Sequence, residues 1–318
     1  MSLLNIVIPG DYPPQIAGSL QLNRLSNYGE VILHADLPRN TDEQIDRVLN
    51  ADIIINTRGS VKWDREKLSR LPKLKMISTC SIGTDMIDLK YARQSGIIVS
   101  NQPGRTSYVV AEHIFGLMFA LAKQAALQTA HVKSGKWIRL ENILLTGKTL
   151  GIVGTGNIGT NMAKLGKAIG MKVIAWTFNP SKTLVAELGV QYVEFDELLE
   201  QSDVISLHVN LSEKTKNLIS TKEISKMKNG SLLINGGRGG LINTKALIEA
   251  LNSKKLGGAG LDVFDQEPIN KDHPLLMCEN VVFTPHMADQ TPEGIELLNE
   301  GAVDNVIAYL QGKPINVC

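Results

Sequence analysis

The string Gly154-Thr155-Gly156-Asn157-Ile158-Gly159 constrains this chain more than any other. It follows directly on the apolar run Leu150-Gly151-Ile152-Val153 and opens a helical pattern over Asn157–Ile169. A strand that turns through glycines into a helix is a βα unit, and such units assemble into parallel sheets. In that setting Gly154 permits a tight turn, Gly156 lets a ligand approach the backbone, and Gly159 lets the helix pack on the strand. The N–H groups that open the helix, at Asn157 and Ile158, have no intrahelical partner and can face a pyrophosphate. Alone the pattern is weak; its flanking strand and helix make it a dinucleotide-binding signature.

The rest of the chain repeats the same alternation. A length of 318 residues suggests two domains. In the first hundred residues, β-branched runs at Asn5–Ile8, Val31–His34, Asp52–Asn56, Lys75–Thr79 and Ile97–Ser100 predict strands. Helical patterns at Asp42–Leu49 and Arg65–Leu71 lie between them. A long helix is expected over Ser107–Lys123, apolar on more than one side. A second series of strands follows at Thr149–Val153, Lys172–Trp176, Val204–His208, Ser231–Asn235, Gly258–Val263 and Val281–Thr284. Thr291 and Pro292 predict the N-cap and first position of a helix running to Gln311. We place that helix on the first domain, so residues 1–101 and 286–318 form one domain and residues 102–285 the other. The expected fold class is α/β, with two doubly wound parallel sheets.

Composition narrows the function classes. Lys plus Arg is 33 against 32 for Asp plus Glu, a balance that predicts neither a nucleic-acid nor a membrane partner. No apolar run approaches the ~20 residues of a membrane span. The start, Leu3-Leu4-Asn5-Ile6-Val7-Ile8-Pro9, reads as a strand and not a signal peptide. Cys80, Cys278 and Cys318 are scattered and form no CxxC pair, which predicts no disulfide framework and no metal site. A cytoplasmic location is the expectation.

Three later residues carry chemistry. Arg238 lies in Asn235-Gly236-Gly237-Arg238-Gly239-Gly240, Glu267 in Asp262-Val263-Phe264-Asp265-Gln266-Glu267-Pro268, and His286 in Phe283-Thr284-Pro285-His286-Met287-Ala288. Each follows a predicted strand, and ligands of open α/β sheets sit beyond the carboxyl ends of strands. A guanidinium there can hold a carboxylate by two hydrogen bonds and polarise the adjacent carbonyl. The histidine can move a proton, and the acid can tune it. The strand Val173–Trp176 ends in Thr177-Phe178-Asn179-Pro180-Ser181-Lys182, with no carboxylate before Glu187 to bind an adenosine ribose. Nothing there repels a 2′-phosphate, and no Arg attracts one, so NAD and NADP both stay open.

These strings resemble the D-isomer-specific 2-hydroxyacid dehydrogenase family, over nearly the whole chain. Further matching strings are Ser81-Ile82-Gly83-Thr84-Asp85, Pro103-Gly104 with Ala111-Glu112-His113, Gly147-Lys148-Thr149-Leu150-Gly151, and Ser206-Leu207-His208. The resemblance implies a Rossmann NAD(P)-binding domain, a flavodoxin-like substrate domain and a cleft between them. It implies hydride transfer between a nicotinamide and a small 2-oxo or 2-hydroxy acid. Arg238 would hold the substrate carboxylate, and His286 would exchange the proton while hydrogen-bonded to Glu267. Ile82 and Gly83 would grip the carboxylate through backbone N–H groups, and Arg58 would touch its distal end. His208, Asn210, Gly236, Gly237 and Thr177 would line the cofactor, and Asp262 would bind the carboxamide. The resemblance also implies a homodimer, in which Trp137 could reach the partner subunit.

The departures are Gly237 for a common Ala, Asn243 for Asp and Asn210 for Pro. Glu267, where formate-binding members carry Gln, argues against a formate dehydrogenase. Within the family, glyoxylate or hydroxypyruvate reduction is preferred over D-3-phosphoglycerate oxidation. The rival from another class is an NADH-sensing corepressor-like scaffold of the same fold.

Overall fold

The computed structural model describes residues 4–59 and 61–318, so Leu3 of the expected first strand stretch lies outside the described residues. In chain order the first elements are β1 (Leu4–Ile8), α1 (Gln21–Leu25), β2 (Gly29–Leu33), α2 (Thr41–Val48) and β3 (Ile53–Thr57). Then come α3 (Arg65–Ser69), β4 (Met76–Cys80), α4 (Leu89–Gln94) and β5 (Ile98–Ser100). The next stretch holds α5 (Ser107–Ala122), α6 (Ala125–Lys133), β6 (Thr149–Val153), α7 (Asn157–Ala168) and β7 (Lys172–Trp176). It continues through α8 (Lys182–Leu188), β8 (Gln191–Tyr192), α9 (Phe195–Gln201), β9 (Val204–Leu207) and α10 (Thr221–Lys226). The last elements are β10 (Ser231–Asn235), α11 (Thr244–Asn252), β11 (Leu256–Leu261), β12 (Val281–Phe283) and α12 (Pro292–Leu310).

Two compact units result, residues 1–106 with 290–318 and residues 107–289. The first holds a parallel five-stranded sheet in the order β2-β1-β3-β4-β5. Side chains alternate across it, as the two-residue period of a strand requires. Ile6, Ile8, Ile53 and Ile55 meet Leu298, Ala302, Val303 and Val306 of α12 on one face. Val7, Ile54, Ile77 and Val99 meet α2, α3 and α4 on the other. Thr291 caps α12 by accepting from Gly294 N at 2.9 Å.

The second unit holds a parallel seven-stranded sheet in the order β12-β11-β10-β9-β6-β7-β8. Helices α5 and α7 cover one face, through Ile114, Leu117, Met118, Met162 and Ala163. Helices α9, α10 and α11 cover the other, through Leu198, Leu199, Ile224, Leu247 and Leu251. Strand order reverses between β6 and β9, so the turn after β6 lies at the topological switch point where such sheets bind ligands.

Both joins fall later than the sequence suggested. Residues 102–106 stay with the first unit, because Gln102 N donates to Ser81 O and its side chain to Thr79 O. Residues 286–289 stay with the second, because three successive backbone N–H groups there donate to Asp262. Among the described residues no single helix is long and apolar enough to cross a membrane.

Candidate active site

The glycine turn is built as its composition requires. Gly154 has φ +98°, in the region that side chains rarely adopt. A Cβ on Gly159 would lie 2.0 Å from Gly154 O, so the helix can sit this close to the turn only without one. Gly156 differs: a Cβ there would meet nothing within 4 Å. Its smallness answers to no protein neighbour and leaves room for a ligand against the backbone. Gly156 is also the N-cap of α7 and offers no side-chain hydrogen bond, leaving the helix's first N–H groups for an anion. This cradle fits the pyrophosphate of a dinucleotide.

Tyr192 ties the cradle to the loop after β7, a contact that no sequence pattern marks. Its hydroxyl lies 2.9 Å from Thr155 Oγ1 and accepts from Ser181 N at 3.1 Å. In that loop, Ser181 Oγ accepts from Leu184 N as the cap of α8, while Lys182 is exposed. Thr177 directly follows β7 and is partly buried. His208 sits at the end of β9 with Nε2 2.8 Å from Ser206 Oγ, and burial lowers its pKa to about 4, keeping it neutral. Asn210 is exposed and its carbonyl accepts from Thr215 Oγ1.

The ends of β10, β11 and β12 bring Arg238, Glu267 and His286 together in one unit. His286 Nδ1 lies 2.6 Å from Glu267 Oε2, and Glu267 Oε1 accepts from Phe264 N at 2.9 Å. Among the described residues His286 Nε2 has no partner, and the side chain is 47% exposed, so this nitrogen is available to a ligand. The backbone of His286 is left-handed, φ +49°, held there by its N–H donating to Asp262 O at 2.8 Å. The Arg238 side chain donates to Gly237 O at 2.8 Å.

The hydrogen bond that His286 donates to Glu267 raises the pKa of His286 against burial and the Arg238 charge, which lower it. Burial would raise Glu267, but His286, the Phe264 N–H and Arg238 together hold its carboxyl below the usual range. The histidine's share of stability is therefore complete below its unfolded pKa, about 6.5, and is lost as pH rises through its raised value. The glutamate's share is present above about 4.3 and is lost as pH falls through its depressed value. Between those limits the pair is ionic. Replacing Glu267 by Gln removes the charge, and the His286 pKa is expected to drop toward 6.5 in an NMR titration of its ring protons. A titration midpoint unmoved by the change would assign the raised value to something else.

Three of the expected cofactor residues have partners within the protein. Asp262 has 0% exposure. It accepts from Thr284 Oγ1 at 2.6 Å, Met287 N at 2.9 Å and Ala288 N at 3.1 Å. In this structure these donors enclose the carboxylate, and Asp262 is the scaffold of the His286 loop. Gly236 answers to packing, since a Cβ there would lie 1.8 Å from Ile114 Cδ1 of α5. Gly237 is held by its N–H donating to Asn235 Oδ1 at 3.0 Å.

In the first unit, Arg58 is also left-handed, φ +52°. Its guanidinium donates to Pro13 O at 3.1 Å, Pro14 O at 3.4 Å and the Gln290 side chain. It acts here as a loop clamp. The carbonyls of Ile82 and Gly83 are pinned by Asn101 Nδ2 at 2.7 Å and Ser81 Oγ at 2.8 Å. That fixes a backbone whose N–H groups find no acceptor among the described residues.

Comparison with known proteins finds relatives over most of the chain. Residues 115–288 match the model of the family described as D-isomer specific 2-hydroxyacid dehydrogenase, NAD binding domain. A hydroxypyruvate reductase of Thermotoga maritima is 41% identical over 268 residues, 81% of this chain and 86% of that protein. A D-3-phosphoglycerate dehydrogenase of Methanocaldococcus jannaschii is 38% identical over 292 residues, 91% of this chain. The chain spans only 55% of that relative's length. A solved D-lactate dehydrogenase from Aquifex aeolicus, complexed with NAD and lactic acid, is 33% identical with a TM-score of 0.85. That likeness covers 97% of this chain and 96% of the other.

Proposed function

The chain belongs to the D-isomer specific 2-hydroxyacid dehydrogenase family, a family of oxidoreductases, and from that premise we propose that it reduces a small 2-oxo acid. The observation that carries this reading is the 2.6 Å contact of His286 with Glu267, which favours the charged imidazole and leaves its Nε2 available. A nicotinamide cofactor, when bound, supplies or takes the hydride. The chain's own residues do the rest. Arg238 holds the substrate carboxylate and polarises the C2 carbonyl. His286 delivers its Nε2 proton to the carbonyl oxygen, and Glu267 stabilises the imidazolium before the transfer. In the reverse direction the neutral imidazole takes the hydroxyl proton. The N–H groups of Ile82 and Gly83 bind the same carboxylate.

Substrate size follows from Arg58. Its guanidinium is held by the carbonyls of Pro13 and Pro14, which favours glyoxylate or hydroxypyruvate over a phosphorylated acid. At the end of β7 neither an acid nor an arginine meets the ribose, so both NADH and NADPH are accepted in this reading. A cytoplasmic homodimer completes the proposal. Its support is the exposed apolar run Val132, Trp137, Ile138 and Leu144, which a second copy would cover.

The test follows oxidation of NADH and NADPH with glyoxylate, hydroxypyruvate, pyruvate and 3-phosphohydroxypyruvate. Turnover is expected with the first two at the higher kcat/KM. Silence across all four with both cofactors would reject the enzyme reading in favour of an NADH-sensing scaffold. A clear preference for the phosphorylated acid would reject the size argument.

A further inference from the structure

Behind the His286 loop a partly buried polar chain runs into α5. His113 Nε2 lies 2.9 Å from Thr284 Oγ1 and 3.4 Å from Asp262 Oδ1. Thr284 Oγ1 donates to that same Oδ1 at 2.6 Å. Asp262 then holds Met287 N and Ala288 N through its carboxylate, and His286 N through its carbonyl. A threonine hydroxyl has one proton, and the short contact to an ionised carboxylate uses it. The hydrogen between His113 and Thr284 must therefore come from His113 Nε2. This assigns the ring's tautomer and gives His113 a task that a packed helix residue would not have.

The charge of Asp262 makes that donor matter. A carboxylate with 0% exposure needs donors from the protein on every side. Three of them, Thr284 Oγ1, Met287 N and Ala288 N, belong to the loop that carries His286. His113 supports the carboxylate from another element, donating to Thr284 Oγ1 with its Nε2 3.4 Å from Oδ1. It orients the Thr284 hydroxyl toward Oδ1 and anchors the cluster to a helix packed on the sheet.

We propose that His113 is a positioning residue for His286, acting through Thr284 and Asp262. The inference rests on the acid/base reading of His286 given above. Without the Nε2 donor, Thr284 can rotate away and the loop loses its tether to α5. A displacement of a few tenths of an ångström is enough to weaken the His286–Glu267 hydrogen bond, because such bonds depend on distance and alignment.

The test compares His113→Leu, His113→Gln and His113→Asn in the full chain. A Gln amide nitrogen reaches where Nε2 stands, whereas that of Asn reaches only the nearer ring position. The readouts are kcat, KM for NADH, the pH profile and the hydrogen-bonded Nδ1–H proton of His286 by NMR. His113→Leu is expected to lower kcat roughly tenfold with KM for NADH within about twofold. The pH limb set by His286 should move to lower pH, and the downfield Nδ1–H signal should weaken. Glu267, Arg238 and Asp262, the charged groups that face His286, are unchanged in every variant.

His113→Gln should recover both kcat and the signal, and His113→Asn should not. A Leu variant that matches the wild type in kcat, limb and signal would overturn the proposal, as would Gln and Asn variants that behave alike. Should the Leu variant fail to fold, Thr284→Val removes the intermediate hydroxyl at nearly constant shape and must reproduce the kcat loss and the limb shift. Wild-type protein inactive on every 2-oxo acid would count against the acid/base reading. The NMR signal would still decide whether His113 positions the ring.

Discussion

Turnover falls at least about 100-fold when His286 is replaced by Ala, the usual scale for a positioned acid/base. The Nδ1 side of the ring is committed to Glu267 at 2.6 Å, so any proton delivered to a ligand leaves from Nε2. Alanine leaves no group within reach to replace it. The left-handed backbone at this position, φ +49°, complicates alanine because it strains most side chains. Asparagine tolerates that conformation, so His286→Asn separates lost chemistry from lost loop geometry. Both variants should lose the same catalytic factor, with KM for the dinucleotide little altered. Wild-type kcat in His286→Asn would remove the histidine from the reaction.

Gly159→Ala should cost about 3 kcal/mol of stability, because no rearrangement confined to side chains relieves a Cβ 2.0 Å from a backbone oxygen. The turn must open or α7 must back away from β6. For a unit of this size the loss corresponds to a fall in Tm of roughly 6–12 °C. Dinucleotide affinity should fall at least about tenfold, since the same backbone forms the cradle. Gly156→Ala is the contrast. A Cβ there meets open space and φ is −66°, so Tm should hold while dinucleotide affinity falls. The pair is read by thermal melting and by fluorescence titration with NADH. If the two variants lost stability equally, the division of labour between the glycines would be wrong.

The sequence carried the architecture well where its signals were periodic. Both parallel sheets, the long α5 and the capped start of α12 follow from β-branched alternation, helical spacing and the Thr291-Pro292 pair. It missed elements too short or too uniform to show a period. Strand β8 has two residues. Helix α6 buries none of its residues, so no apolar stripe marks it, and the five residues of α1 hold one buried side chain. At the site, glycine spacing and strand-end placement pointed to the relevant side chains. Direction was illegible: nothing in Gly260-Leu261-Asp262 tells that its carboxylate turns inward to hold a loop. Gly236 likewise looks the same in sequence whether a ligand or Ile114 needs the room.

Helix α12 supplies one wall of the first unit's core, meeting strands that lie more than two hundred residues earlier. During synthesis on the ribosome those early strands emerge with an uncovered apolar face, and they must wait for that helix. The continuous unit from 107 to 289 can collapse while they wait. Nascent chains stalled before residue 290 should therefore protect residues 107–289 from protease while residues 1–106 stay cleavable.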